Sequence, residues 1–450
     1  MSVVAEDLVT FTSMLKMVFN FLNGNSYLKR KKFKEKKKLF SVALPFSDLA
    51  FACGGIPVFP IRMELFEINK YLLALGSASN VLGWKNVTNF LGFLQKLNIE
   101  RVNTSFEKII EEVIETVNQK YNQMYDLGVE SGIPTDFCYG IKSLYGMHVS
   151  KLKNCDATLN MTIRCSAWNK YLETLKTVDN SVKHIWVDLP PRDIGNALEI
   201  LTENMSDAIK KIEDLTGINC TDNKLREHFK IRNQICQHYK TIIYEISASD
   251  FYPCNPASFA EIVSVISTSF QDFNSNAKRY AENMASLVHE MKDRIRKGIG
   301  MDCTGMPRIL MTPMFGGWEP KSHEFIYELG GRTIYADWDI LGFLEEIPVL
   351  NNSNPIEDYA RFIMNTNSKF MGCDNDSLTD SYLRIAKKIN ADGLIFNQLF
   401  GCHSLSNCYK ILRDKLRKEE IPSTALTFNK IGENVEQVKT RLGAFMEMLW

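Results

Sequence analysis

Three cysteines in this chain could do chemistry together. Cys138 stands in DFCYGIKSLYG, Cys165 in LNMTIRCSAWNK and Cys402 in ADGLIFNQLFGCHSLS. Each falls where a strand or a tight turn should end. Thiolate sulfur is a soft ligand that suits iron, and iron–sulfur clusters are held through cysteine. Three cysteines leave one position of a 4Fe–4S cube open, and an open metal position can act as a Lewis acid. Cys138 and Cys165 are 27 residues apart and Cys402 lies a further 237 along the chain. That is no compact motif of the C-x-x-C kind. Spacing therefore leaves two readings open, a metal centre or three buried thiols that only pack.

Such thiols meet only if the elements before them end at one edge. In open parallel sheets that edge is the carboxyl end of the strands, where ligands bind. Ala157–Arg164 reads as a strand leading to Cys165, and Gly393–Phe400 as one leading to Cys402. Leu39–Pro45, the breaker-bounded Gly54–Pro60, His184–Leu189, Arg308–Pro313, Thr333–Asp337 and Ser423–Phe428 read as further strands. Helical spacing marks residues 5–22, which Gly24 and Asn25 should end, and Phe106–Tyr125, which Gly128 and Gly132 should break. It also marks Ile141–His148, Trp168–Leu175, Lys321–Leu329, Asp380–Ile389, Leu405–Lys418 and Val435–Leu449. Residues 62–127 read as largely helical. Arg192–Ile299 does too, with Asp193 as a candidate cap.

Strands alternating with helices predict an α/β fold. We expect two Rossmann- or flavodoxin-like parallel-sheet units with an N-terminal and an intervening helical region. The expected boundaries are 1–38 for the N-terminal helical segment and 39–191 for the first unit with a helical insertion. The helical block follows at 192–304 and the second unit at 305–450.

Composition narrows the function classes. Basic and acidic residues balance at 53 each, so no global field argues for nucleic acid or an acidic membrane. The local exception, Lys29–Lys38, reads as a solvated helix end or as a dock for an anionic partner. Glu6 and Asp7 interrupt the first apolar run, and no stretch of apolar residues reaches membrane-spanning length, so a cytoplasmic protein is expected. Eleven cysteines then read as reduced thiols. The chain has no G-x-x-x-x-G-K-[ST] phosphate loop and no G-x-G-x-x-G fingerprint. Any ATP hydrolysis coupled to it belongs to another protein. Cys236 with His238 and His228 is a further candidate group for zinc, though its spacing fits no standard site. Cys408, on the helix after Cys402, reads as packing or as an alternative ligand.

The segments PFSDLAFACGGIPV, DFCYGIKSLYG, RCSAWNKYLETL with IWVDLPPRD, MPRILMTPMFGG, INADGLIFNQLFGC and EQVKTRLGAFMEML occur in that order. Together they resemble the 2-hydroxyacyl-CoA dehydratase and benzoyl-CoA reductase family of iron–sulfur subunits, from about residue 38 to the end. The resemblance implies a 4Fe–4S cluster on Cys138, Cys165 and Cys402. It implies an electron received from an ATP-hydrolysing iron–sulfur activator and passed to an acyl-CoA thioester, with ketyl radical chemistry in dehydration or reduction. It implies a paralogous second subunit or a homodimer as partner. Cys53, Cys303 and Cys373 lie in loops or turns where they could enlarge the cluster, as in double-cubane relatives.

The chain departs from the family pattern at three places. Phe59 and Pro60 follow the early PV where an acidic residue is common. Ser166 follows Cys165 where Asp is common, and His403-Ser404 follow Cys402 where Asp-Pro is common. Glu64 is the candidate replacement for the missing carboxylate, and His403 the candidate donor to a cluster sulfur or a thioester oxygen. These changes favour, as the alternative, a non-catalytic electron-relay or scaffold subunit; a double-cubane cluster reductase is the other alternative the resemblance leaves.

Overall fold

The computed structural model describes residues 7, 10–22, 24–43, 46–64, 100–313, 319, 321–336, 345–350, 352–366 and 374–449. The chain opens with α1 (Thr12–Leu22) and α2 (Gly24–Lys29), so Gly24 begins a second helix instead of only ending the first. Phe11, Met14 and Met17 are buried. The first turn of α1 is capped from outside, because both Glu290 carboxylate oxygens accept backbone N–H groups, from Thr12 at 2.9 Å and Ser13 at 2.8 Å. A carboxylate there satisfies orphan donors and suits the helix dipole.

The first unit comprises β1 (Leu39–Ser41), α3 (Ser47–Ala52), β2 (Ile56–Val58), α4 (Ile61–Glu64), α5 (Glu100–Glu130), α6 (Tyr139–Lys151), β3 (Ala157–Thr162), α7 (Ser166–Val178) and β4 (Lys183–Asp188). The helical block follows as α8 (Ala197–Thr216), α9 (Asp222–Lys240), α10 (Pro256–Ser269) and α11 (Ala277–Arg296). Asn196, not Asp193, precedes the first turn of α8. Asp193 is exposed on the loop and faces Arg164 at 3.6 Å. Two short strands unseen in the sequence, β5 (Phe251–Tyr252) and β6 (Met301–Asp302), pair antiparallel across the ends of the block.

The second unit runs β7 (Arg308–Thr312), α12 (Ser322–Glu328), β8 (Arg332–Ile334), α13 (Pro355–Asn365), α14 (Asn375–Lys388), β9 (Gly393–Leu399), α15 (His403–Ser406), α16 (Cys408–Lys418), β10 (Ser423–Phe428) and α17 (Val435–Glu447). The single helix expected over 405–418 is two, parted at Asn407.

Both sheets are parallel throughout. The first has the order β2-β1-β3-β4 and the second β8-β7-β9-β10. Counted within each unit, the order is second, first, third, fourth in both. That is the flavodoxin-like arrangement, whose reversal of winding between first and third strands opens a crevice at the carboxyl edge. The fold is thus α/β, with two parallel sheets of the same winding. One continuous apolar cluster joins them through the helical block, from Phe40 and Leu159 through Phe229 and Met284 to Leu394 and Phe396. Among the described residues, no helix is long and apolar enough to cross a membrane. The basic run lies before β1, at the amino edge of the first sheet, where Lys32 reaches the carbonyl of Asn154 at 2.6 Å.

Candidate functional site

Cys165 and Cys402 occupy matching places. Cys165 follows the third strand of the first unit and precedes α7, and Cys402 follows the third strand of the second unit and precedes α15. Cys138 precedes α6, the helix that leads into β3.

Local sequence explains each position. After β3, Asn169 on α7 clamps the backbone of Ile163: its Oδ1 accepts the N–H at 3.1 Å and its Nδ2 donates to the C=O at 2.7 Å. Trp168 Nε1 donates to the carbonyl of Met161 at 2.8 Å. The Trp-Asn pair three and four residues past Cys165 therefore fixes the loop that carries it. After β9, Gly401 has φ +77°, and a Cβ there would lie 2.3 Å from the carbonyl oxygen of Asp136 and 3.1 Å from the amide nitrogen of Cys138. Only glycine lets the two loops run so close.

That approach joins two of the thiols. Cys138 and Cys402 lie near enough for a bond between their thiols to set the titration of both, and Cys165 is near enough for its charge to act on Cys402. The bond from Cys402 holds the Cys138 thiol down to about 7; N–H groups of Ile141 and Gly140 and the positive charge of Lys142 add to this. As the other half of that bond, Cys402 is pushed well above the ordinary thiol range. Lys142, one turn into α6, is buried and anchored by donating to the carbonyl of Thr135 at 2.6 Å. A thiol that ionises near neutral pH is prepared to bind metal, because the thiolate is the ligand.

Among the described residues, no three His, Cys, Asp or Glu side chains close on a single metal ion. A cube of four irons and four sulfides spreads its ligands wider than one ion does. The all-thiol donors and their half-burial fit such a group.

The loop after β10 completes this edge. Its Ile431 carbonyl accepts from Asn122 Nδ2 at 3.0 Å, and Asn122 Oδ1 accepts from Tyr139 OH at 3.1 Å. Lys430 pairs with Asp126 at 2.7 Å. Glu319, on the loop after β7, was missed in the sequence. It is buried, and burial raises its carboxyl although it accepts N–H groups from Lys321 and Gly432. An acid inside WEPK gives no signal of its own; burial beside the switch point is a tertiary fact.

The other candidates disperse. His228 Nε2 is 2.7 Å from Asp48 Oδ1 and is engaged by that pair, apart from Cys236 and His238. Cys303 is buried with its thiol toward the carbonyl of Met301 at 3.6 Å. Cys408 is buried, its thiol 3.0 Å from Asn375 Oδ1, as a packing residue would be. Cys53 follows α3 at the opposite edge of the first sheet, where Cys220 acts on its titration. Glu64 closes α4 and His403 opens α15; the side chains of both, and Cys373 altogether, lie outside the described residues.

A family model described as 2-hydroxyglutaryl-CoA dehydratase, D-component, matches residues 116–449. The chain belongs to that family. The matched span runs from within α5 to the end of α17 and contains all three cysteines of the edge. It opens after the PFSDLAFACGGIPV segment. No curated protein matches the chain.

Proposed function

We propose that this chain is the cluster-holding subunit of a 2-hydroxyacyl-CoA dehydratase-type or benzoyl-CoA reductase-like enzyme, with Cys138, Cys165 and Cys402 as the ligands of a 4Fe–4S cluster. The observation that carries this reading is the close approach of the Cys138 and Cys402 loops at Gly401, with Cys165 placed after the third strand of the first sheet as Cys402 is after that of the second. Bound there, a 4Fe–4S cluster supplies a one-electron reductant and an iron with an open position. The chain's own residues do the rest. Asn169 and Trp168 hold the Cys165 loop, and Gly401 brings Cys402 against Cys138. Lys142 favours the thiolate at Cys138. Glu319 keeps its proton to a higher pH than an exposed carboxyl and can lend it at the same edge of the second sheet. The ATP-hydrolysing electron donor, the acyl-CoA and a second subunit, paralogous or identical, are the partners this reading requires.

One observation favours the alternative of an electron relay or scaffold. The missing carboxylate after Val58 is not replaced by its buried neighbour. Asp272 accepts the N–H of Phe59 at 2.8 Å and is locked to Arg62 at 2.6 Å, so it is held as a structural ion.

Anaerobic purification followed by iron and sulfide analysis and electron paramagnetic resonance tests both. A cluster signal that changes on adding a 2-hydroxyacyl-CoA thioester is the enzyme's outcome; a signal indifferent to every thioester is the relay's. Fewer than about two irons per chain after reconstitution overturns the cluster reading. Cys165→Ser and Cys402→Ser are expected to lose iron and Cys220→Ser to keep it. Equal behaviour of all three would show that the ligands are misassigned.

A further inference from the structure

A second thiol pair sits far from this edge. Cys53 ends α3 just before β2, at the amino edge of the first sheet, and is fully buried. Cys220 lies in the turn between α8 and α9, half-buried. The two thiols lie near enough for each to act on the titration of the other. The backbones around them are in close contact as well. Gly54, at φ +72°, has no Cβ, and one placed there would lie 2.4 Å from Ile218 Cδ1. The turn that presents Cys220 is pinned from both sides: Glu213 Oε1 accepts the Cys220 N–H, and Thr221 accepts the N–H of Lys224 to begin α9. Thiols on two turns that pack this closely are candidates for a bridge, which needs their Cα atoms within about 7 Å.

We propose that Cys53 and Cys220 are an oxidant-responsive pair, which a hydroperoxide converts to a disulfide that ties the amino edge of the first sheet to the α8–α9 turn. Cys220 is the attacking sulfur. It is the more accessible, and the hydrogen bond from Cys53, with Lys224 nearby, lowers its thiol below the ordinary range. The Cys220 thiolate attacks one oxygen of hydrogen peroxide. The O–O bond breaks, hydroxide leaves and Cys220 becomes a sulfenic acid. The Cys53 sulfur then attacks the Cys220 sulfur. The S–S bond forms, the S–O bond breaks, and the departing oxygen leaves as water with the Cys53 proton. Two thiols and one peroxide give one disulfide and two waters. The peroxide is reduced by the two electrons that the sulfurs lose. Because α8 and α9 belong to the helical block, the bond would fasten that block to the first sheet from the side opposite the Cys138 edge.

The test uses the full chain, purified without oxygen and exposed to about one equivalent of hydrogen peroxide. Free thiols are then alkylated and the protein is cleaved without reduction for peptide mass mapping. The expected product is a linked pair of peptides carrying Cys53 and Cys220, lighter than their sum by two hydrogens and absent in Cys220→Ser. In Cys53→Ala, the Cys220 sulfenic acid has no resolving thiol and should be captured by dimedone. The proposal is overturned if Cys220 stays fully alkylated while other cysteines oxidise, if it links to another cysteine, or if Cys53→Ala yields no dimedone adduct. The Cys165→Ser protein should form the same link, which separates this outcome from that of the cluster assignment.

Discussion

Glu261, on α10, shows how one buried carboxyl sets a pH dependence. Its Oε2 is 3.5 Å from His323 Nε2, and the two side chains are largely removed from water. Burial, with the charge of Glu324 second, raises its carboxyl to about 7. Burial also lowers His323 to about 4, so the ring is neutral at neutral pH. A raised acid binds its proton more tightly in the folded chain than in the unfolded one. Its contribution to stability is full below the unfolded value of about 4.5 and is lost as the pH rises through about 7. At roughly 1.4 kcal/mol per pKa unit, the loss is on the order of 3–4 kcal/mol. Glu261→Gln should therefore match the parent near pH 4.5 and exceed its stability near pH 8, measured by urea unfolding at both. An equal difference at the two pH values would show that Glu261 is not the group that titrates.

At the scale of elements, α5 and α6 decide where Cys138 stands. They cross at Gly128 and Gly146. A Cβ at Gly146 would lie 1.8 Å from the carbonyl oxygen of Met124, and one at Gly128 would lie 2.1 Å from that of Lys142. Gly128 thus sits inside a helix that continues to Glu130, and Gly132, at φ +90°, follows its end. The residue expected as a breaker is a contact. Glycine at helical spacing signals both equally, because a missing side chain looks the same whether it frees the backbone or admits a neighbour. Gly146→Ala is expected to cost near the top of the roughly 1–3 kcal/mol range for overpacking, since the opposing atoms are backbone and cannot rotate away. Because α6 begins one residue after Cys138, the same variant should lower iron binding along with the midpoint of thermal unfolding. Full iron content in a destabilised Gly146→Ala protein would show that the crossing does not position the thiol.

The whole molecule depends on buried ions that tie the first sheet to the helical block. Arg62 Nη1 donates to Asp272 at 2.6 Å and to Ser275 Oγ at 2.6 Å, and both charged side chains are almost wholly buried. Asp272 also accepts the N–H groups of Phe59 and Asn274. Phe273, Asn274 and Ser275 all have positive φ, at 37°, 41° and 61°. Three such residues in succession are costly and persist only where their surroundings over-determine them. Asp272→Ala strands a buried guanidinium and releases that turn. It should cost about 3–5 kcal/mol in chemical denaturation, the range for breaking a buried pair from one side. A loss under about 1 kcal/mol would show the pair to be solvated, as surface bridges are. A second tie joins Asp48 on α3 to His228 at 2.7 Å and to Tyr359 OH, on α13, at 3.1 Å.

Much of this architecture was written in local pattern. The runs before Cys165 and Cys402 read as strands because apolar residues crowd them and turn formers close them. Strand and helix alternation gave two parallel sheets. The β5–β6 pair escaped because two residues carry no periodicity. Helix α13 was passed over although Asn354 and Pro355 mark its start, Asn354 Oδ1 accepting the N–H of Ile356 at 3.0 Å. The sequence by itself determined that Cys165 and Cys402 follow strands, and so that these two stand at carboxyl edges. Tertiary structure alone decided that the Cys138 and Cys402 loops meet at Gly401, that the chain beside Cys53 packs on the turn of Cys220, and that Asp272 is taken up by Arg62 and the N–H of Phe59. These are contacts between segments far apart in the chain, set by how helices and sheets pack. Local spacing carries no record of them.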